Sequence, residues 1–232
     1  KVISRKLAAE ALGTAFLLAA VIGSGIMGER LSGGNVALAL LCNTIPTGAM
    51  LVVLVTMLAP ISGAHLNPAV TLYASATKDV TPQLAAGYIV AQIGGGLVGA
   101  IAANAMFDLP LVTWSEHARA GFPQLFSEGM ATFGLIGVVI VVGRTRAAVT
   151  PFAVAAYIVG AYWFTASTSF ANPAVAIGRA FSNTYAGIRP ADVGGFIAAQ
   201  LVGAAIGGVF FKWLVPLQSR RVAPSEASVR DS

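Results

Sequence analysis

The tetrapeptide Asn-Pro-Ala-Val occurs twice in the chain, at residues 67–70 and 172–175. Asparagine is a preferred N-cap residue and proline suits the first helical position, so each copy predicts the start of a helix. The chemistry on offer is hydrogen bonding: the carboxamides can donate to an oxygen atom of a nearby molecule, and helix N-termini that face each other repel cations. The residues concerned are Asn67, Pro68, Ala69, Asn172, Pro173 and Ala174. An isolated copy would indicate no more than a helix start.

The composition places these motifs in a membrane. The chain has 232 residues, of which 56% are hydrophobic and only 10% charged, with a mean hydropathy of +0.79. Soluble domains carry about 25% charged residues, so the composition predicts one integral membrane domain. The excess of 14 Lys and Arg over 9 Asp and Glu does not indicate a nucleic-acid partner, because the positive charges lie at the ends of apolar segments. Cys42, the single cysteine, excludes an internal disulfide and a multi-cysteine metal site, and is interpreted as a small apolar filler.

Six segments have the roughly 20 apolar residues that a spanning helix needs. They are about 7–27, 35–59, 83–106, 124–143, 149–169 and 191–215. Two shorter stretches, near 67–77 and 172–182, begin at the Asn-Pro-Ala motifs and fit half-helices that enter the membrane and stop. The first segment is long enough to span and is followed by no convincing cleavage site, so it is predicted to stay as a helix. The predicted fold is an all-α membrane protein with six transmembrane helices and two re-entrant half-helices.

The chain also repeats itself. "AEALGTAF" (9–16) resembles "SEGMATF" (127–133), and "AQIGGGLVGA" (91–100) resembles "AQLVGAAIGG" (199–208). We expect a domain over 1–217 with repeat 1 at about 1–110 and repeat 2 at about 120–217. Each repeat has three spans, an odd number, so the second enters the membrane upside down. The two motifs then meet near the midplane, where irregular backbone must be buried in protein or line a water-filled path.

The distribution of positive charge predicts the orientation. One side receives Lys1, Arg5, Lys6, Lys78, Arg144, Arg146, Lys212, Arg220, Arg221 and Arg230, and the other receives Arg30, Arg119, Arg179 and Arg189. The positive-inside rule therefore predicts that both termini, with a polar tail at 218–232, are cytoplasmic.

The motifs and the inverted repeat resemble the aquaporin (major intrinsic protein) family over essentially the whole length. The resemblance implies a right-handed bundle, a homotetramer with one pore per subunit, a channel and not an enzyme, and no cofactor or metal. Glu10 and Glu128 match the family's buried glutamates that hold loop carbonyls; alternatively, they are surface charges in the first turn of a helix. His65 matches a histidine that lines the cytoplasmic half of the pore, although it could be a purely structural residue.

Counting from the motifs by the family's spacing gives a selectivity filter of Thr47, Gly160, Ser169 and Val175, with Trp163 as the alternative to Gly160. This filter has no large side chain and is expected to be wide. The arginine that usually follows the second motif is absent, since Val175 occupies its place. In this respect the chain resembles the bacterial aquaglyceroporin subgroup associated with arsenic-resistance operons, which implies a location in the bacterial inner membrane.

Arg179 follows Val175 by four residues and so lies on the same helical face. One interpretation is that it places a positive charge in the outer vestibule. The alternatives are an arginine that extends to the lipid headgroups, or one that pairs with an outer-loop carboxylate.

The predicted function is passive permeation of small neutral solutes: arsenous acid, glycerol, urea and water. A water-selective aquaporin is the first alternative. An ion-coupled secondary transporter is less favoured, since no Asp or Glu flanks either motif. A membrane enzyme lacks a nucleophile with a base, and a structural or adhesive tetramer would show no solute flux.

Overall fold

A computed structural model describes residues 1–215 of the protein. The helices are α1 (Val2–Leu31), α2 (Val36–Ser62), α3 (Pro68–Ala76), α4 (Pro82–Met106), α5 (Phe122–Thr145), α6 (Thr150–Phe164), α7 (Pro173–Arg179) and α8 (Pro190–Leu214), with a 3-10 turn at Ala147–Val149 before α6. Six of them, with the turn joined to α6, are long and apolar enough to cross a membrane. The short helices α3 and α7 contact each other in the interior. The predicted fold class is confirmed for the described residues.

Glycines let the long helices pack closely in pairs. α1 packs on α4, and α5 packs on α8. A methyl group at Gly95 of α4 would overlap the carbonyl oxygen of Ala11, and one at Gly203 of α8 would overlap that of Gly129. The backbones touch at these points, as is usual where small residues line a helix interface in a membrane. The same arrangement in both halves supports the predicted repeat, whose boundaries stay a prediction.

The elements at the second motif are shorter than predicted. α6 ends at Phe164 rather than near 169, and α7 ends at Arg179 rather than near 182. The chain leaves α6 and turns back through Thr168 and Ser169, which have φ values of 61° and 50°. Non-glycine residues with positive φ are uncommon, and apolar periodicity does not reveal them. The turn therefore begins inside a stretch that reads as continuous helix.

Six crossings return the chain to the side where it started. We call that side, with Val2 and Leu214, the terminal side, and the opposite side, with the loops at 107–121 and 180–189, the far side. α3 runs from the interior to the terminal side and α7 from the interior to the far side. The predicted tail at 218–232 lies outside the described residues.

Candidate functional site

A cavity of about 260 Å³ runs through the bundle. Its wall extends from Tyr73 and Asp79 on the terminal side, past Asn67 and Asn172, to Arg179 on the far side. Much of the wall is apolar and comes from the long helices: Leu17, Val21, Leu51, Val55, Leu135, Val139, Val154 and Ile158. The re-entrant segments that precede α3 and α7 add polar side chains, namely His65, Asn67, Ser169 and Asn172, and other elements add Thr47, Tyr73, Asp79, Thr150, Tyr162 and Arg179.

The two motif asparagines hold the half-helices together at the middle of this cavity. The Asn67 side chain accepts from the Ala69 N–H at 2.9 Å, and the Asn172 side chain accepts from the Ala174 N–H at 3.0 Å. Both are thus N-caps, with a proline following at the first helical position. Each carboxamide also donates across the junction, from Asn67 to the Ala171 carbonyl at 2.7 Å and from Asn172 to the Leu66 carbonyl at 2.8 Å. Because a carboxamide has two N–H groups, each asparagine keeps one for the cavity.

Two fully buried glutamates shape the re-entrant segments. Glu10 accepts from the N–H groups of His65 (3.0 Å) and Leu66 (2.7 Å). Glu128 accepts from the N–H groups of Phe170 and Ala171, both at 2.9 Å. A serine and a glutamine complete each set: Ser62 and Gln92 for Glu10, Ser167 and Gln200 for Glu128. The alternative of surface charges in a first turn is therefore wrong.

These carboxylates determine where the loop carbonyls point. In a trans peptide the N–H and the preceding C=O are antiparallel, and the described residues contain no cis peptide. N–H groups that point at Glu10 therefore direct the carbonyls of Ala64 and His65 the other way. The same argument applies to Ser169 and Phe170 beside Glu128. All four residues line the cavity, so a row of acceptors faces the solute path on both sides of the asparagines.

His65 lies in the cavity wall on the terminal side of Asn67. Its Nδ1 lies 3.1 Å from the Thr71 hydroxyl, and its ring meets Tyr88 edge-on with 5.3 Å between centroids. The residue is thus both structurally held and in contact with the cavity. Phe170 takes the corresponding place beside Glu128.

At the far side, the structure contradicts the position counted for α6. Val154, Ile158 and Tyr162, each four residues apart, form the face of α6 that lines the cavity. Gly160 lies two residues from Ile158 and from Tyr162, hence about 200° around the helix at 3.6 residues per turn, and does not line the cavity. Trp163, the alternative, is 49% exposed on the outside of the bundle.

Tyr162 occupies the place predicted for Gly160. It is 3% exposed, and its hydroxyl lies 3.4 Å from that of Thr47 on α2. The predicted residues Thr47, Ser169 and Val175 do line the cavity with it. The expectation that the residue from α6 at this place is small is therefore wrong. Tyr162 precedes Asn172 by ten residues, whereas the family spacing places the corresponding residue twelve before it. The difference of two residues corresponds to the opposite face of the helix.

Arg179 lies in the cavity wall together with Val175, as their spacing on α7 predicts. It does not extend to a lipid surface, since its exposed fraction is 1%. Its Nε donates to the Ala186 carbonyl, and its Cζ lies 3.4 Å from the centroid of the Phe170 ring. Within residues 1–215 it forms no ion pair, so the pairing with a loop carboxylate is not observed. The positive charge absent at Val175 is supplied one helical turn later.

Sequence reasoning missed several of these residues. Tyr162 and Phe170 carried no motif of their own. The glutamines had a signal, because Gln92 and Gln200 occupy equal places in the repeated "AQ" segments. A buried carboxylate needs a hydrogen-bond donor close by, so the glutamine of the same repeat is the partner that the sequence indicates.

The arrangement combines acceptors, donors and an apolar wall along one path, and comparison with known proteins agrees with this reading. Residues 1–166 match the family described as "Major intrinsic protein". The chain is 50% identical over 213 residues to "Aquaglyceroporin AqpS" of Rhizobium meliloti (strain 1021), covering 92% of this chain and 91% of that protein. It is 30% identical to "Aquaporin Z" of Bradyrhizobium diazoefficiens, covering 97% and 99%.

Among solved structures, the aquaglyceroporin of Plasmodium falciparum superposes with a TM-score of 0.68 at 20% identity, covering 93% of this chain and 98% of that one. That likeness concerns the fold. The sequence matches carry the assignment further: the chain belongs to the major intrinsic protein family, and it is an integral membrane channel for small solutes and not an enzyme.

Proposed function

We propose that this channel conducts small neutral solutes that carry several hydroxyl or amide groups, with arsenous acid and glycerol first, urea and water besides. The observation that carries the proposal is the two-faced wall of the cavity. One face offers four carbonyls and the two asparagine carboxamides, and the other is built mainly from aliphatic side chains of the long helices. A solute with hydroxyls on one side and a less polar surface on the other replaces its hydration shell along such a path.

The residues of the proposed filter at the far side favour the passage of solutes larger than water. Val175 is shorter than arginine, and it leaves its part of the wall without a donor. Arg179 approaches from one turn away, with its side chain held against Phe170 and the Ala186 carbonyl. Tyr162 supplies a hydroxyl as well as bulk. Arsenous acid is uncharged near pH 7 and has the hydroxyl pattern of a small polyol, which fits these donors and acceptors.

Tyr162 is also the observation that favours the second candidate, a water-selective channel. A phenol ring beside Thr47 fills space that a wider filter would leave open. The two candidates differ in what they pass, and one experiment separates them. Stopped-flow light scattering of proteoliposomes should show glycerol and urea permeation well above that of empty liposomes, and uptake of arsenous acid should be measured alongside. Rapid water flux with no flux of the other three solutes would establish the water-selective alternative.

The setting in the cell is part of the proposal. We infer a homotetramer in the bacterial inner membrane with the terminal side in the cytoplasm, supported by the family assignment and by the excess of Lys and Arg on that side. The proposed filter is Thr47, Tyr162, Ser169 and Val175 with Arg179 behind it. Native mass spectrometry from mild detergent tests the tetramer; a monomer as the sole species would contradict it.

A further inference from the structure

Two arginines lie against one phenylalanine ring at the far side of the cavity. The Cζ atoms of Arg119 and Arg179 are 5.0 Å and 3.4 Å from the centroid of Phe170. Their exposed fractions are only 7% and 1%. Contact with an aromatic face stabilises a guanidinium but leaves its charge uncompensated. The far side of the pore thus contains two buried positive charges.

The side-chain hydrogen bonds of these arginines go to backbone carbonyls. Arg119 donates from Nε to Gly187 at 2.8 Å and from a terminal nitrogen to Ser167 at 3.3 Å. Arg179 donates from Nε to Ala186, while its Nη1 is buried and has no partner. Among residues 1–215 the only ion pair is between Arg189, whose side chain is 46% exposed, and Asp192, whose side chain is 7% exposed and also accepts from the backbone N–H of Arg119. A buried charged group with an unused donor is costly unless something binds it.

A second unused donor lies in the same wall. The hydroxyl of Ser169 is buried without a partner, and both Ser169 and Arg179 line the cavity. Glu128, the buried carboxylate of this half, is occupied by two backbone N–H groups, a serine and a glutamine. It therefore lowers the local positive potential but does not fill the free donors. Two donors and two positive charges match a ligand with oxygen acceptors and one negative charge.

We propose that the far side of the cavity binds a small planar oxyanion with a single negative charge, of the nitrate or carboxylate type. Arg179 Nη1 and the Ser169 hydroxyl bind its oxygens, and Arg119 supplies the second positive charge from behind Phe170. This site rests on the proposed solute path and deepens it, because a bound anion occupies the space through which neutral solutes pass. Such an anion lowers neutral flux in a concentration-dependent way.

Nitrate is a suitable probe, because it is fully ionised at any pH near neutrality and has the planar, three-armed shape of urea. Two measurements are made on the full-length protein, with the bulky sulfonate MES at equal ionic strength as the reference salt. One is the shift in melting temperature of the detergent-solubilised protein, which reports binding without flux. The other is urea flux into proteoliposomes. Nitrate is expected to raise the melting temperature and to reduce urea flux. The nitrate concentration that gives half of the maximal effect (the half-effect concentration) should be the same in both measurements.

Arg179→Gln is expected to raise that concentration about ten-fold, the loss that follows from removing one charge-assisted hydrogen bond. Ser169→Ala should raise it several-fold, and serves as the test if Arg179→Gln does not fold. Arg30→Gln is the matched control, because it removes a positive charge from the far side at an exposed position that contacts Phe107 and not the proposed site; it should leave the half-effect concentration unchanged.

No rise in melting temperature with nitrate, or the same half-effect concentration in the parent, Arg179→Gln and Ser169→Ala, would overturn the anion site. Urea flux that is absent in the parent, beside a nitrate effect on stability that depends on Arg179, would overturn the proposed function and uphold the site.

Discussion

Arg179 reaches the cavity from one turn beyond Val175, so charge and bulk at the far side come from separate residues. In this chain the charge is on α7, the bulk is Tyr162 on α6, and the position directly after the second motif is aliphatic. Changing one of the three therefore alters one property of the filter at a time. In a filter with an arginine directly after the motif, substitution of that one residue would change the charge and the bulk together.

Val175→Arg tests this division. The new side chain adds a donor, a charge and volume at a position that is 5% exposed and lines the cavity. Flux of glycerol and urea should fall about ten-fold or more, an added barrier of about 1.4 kcal/mol, while water flux falls much less. Val175→Leu is the control for bulk without charge. Equal losses for water and glycerol in properly folded protein would contradict the proposed filter.

His117, in the far-side loop, gives a pH dependence. Partial burial of this otherwise exposed side chain, followed by the charges of Arg119 and Arg179, lowers the pKa of its imidazole below the usual 6.5. The unfolded chain therefore takes up this proton at a higher pH than the folded protein does. The contribution of this imidazole to the free energy of unfolding is therefore complete above pH 6.5. It decreases as the pH falls below 6.5 and stops decreasing below the lowered pKa.

The melting temperature of His117→Gln should accordingly fall less than that of the parent between pH 7.5 and pH 5. His65 is present in both proteins, so the difference between the two curves isolates His117. Parallel curves would show that the imidazole does not contribute.

At the scale of the elements, the half-helices were the part of the fold most readily predicted. Asparagine is a preferred N-cap and proline suits the first helical position, and both α3 and α7 begin at the proline. The end of α6 could not be predicted, because Thr168 and Ser169 take positive φ to suit Glu128, a partner some 40 residues away along the chain. Tyr162 was missed for the same reason: its place in the cavity depends on the length of that turn. Contacts between residues distant in the sequence thus determine where α6 ends and which of its residues faces the cavity, and local sequence patterns do not predict either.

Neighbouring glycines on α4 offer a test of the helix packing. Gly95→Ala puts a methyl group onto the Ala11 carbonyl, whereas Gly94→Ala adds one where nothing lies within 4 Å. The first should cost about 1 to 3 kcal/mol and lower the yield of folded protein. The second should be neutral or stabilise by up to about 1 kcal/mol, because alanine is the better helix former. Melting temperatures of the two variants measure the contrast, and similar values would argue against close contact between α1 and α4.

On the scale of the whole molecule, the orientation is open to direct measurement. Cys42 is the single native cysteine, so Cys42→Ser gives a background without thiols. In that background, Glu116→Cys on the far side should react with a membrane-impermeant maleimide in intact cells. Ser4→Cys on the terminal side should react only after the cells are opened. Both positions are exposed. The opposite labelling pattern would invert the proposed topology.

The crosswise bonds of the motif asparagines bear on how the chain is made. The Asn67 carboxamide donates to the carbonyl of Ala171, a residue 104 positions later. At about 5 to 20 residues per second, a ribosome needs about 5 to 20 s to synthesise that acceptor. During that time the Asn67 carboxamide of the first re-entrant segment lacks this partner. Glu10 is already synthesised, so it can accept from the N–H groups of His65 and Leu66. The first half of the channel therefore has to remain in the membrane with this polar group unpaired until the second half has been synthesised and inserted.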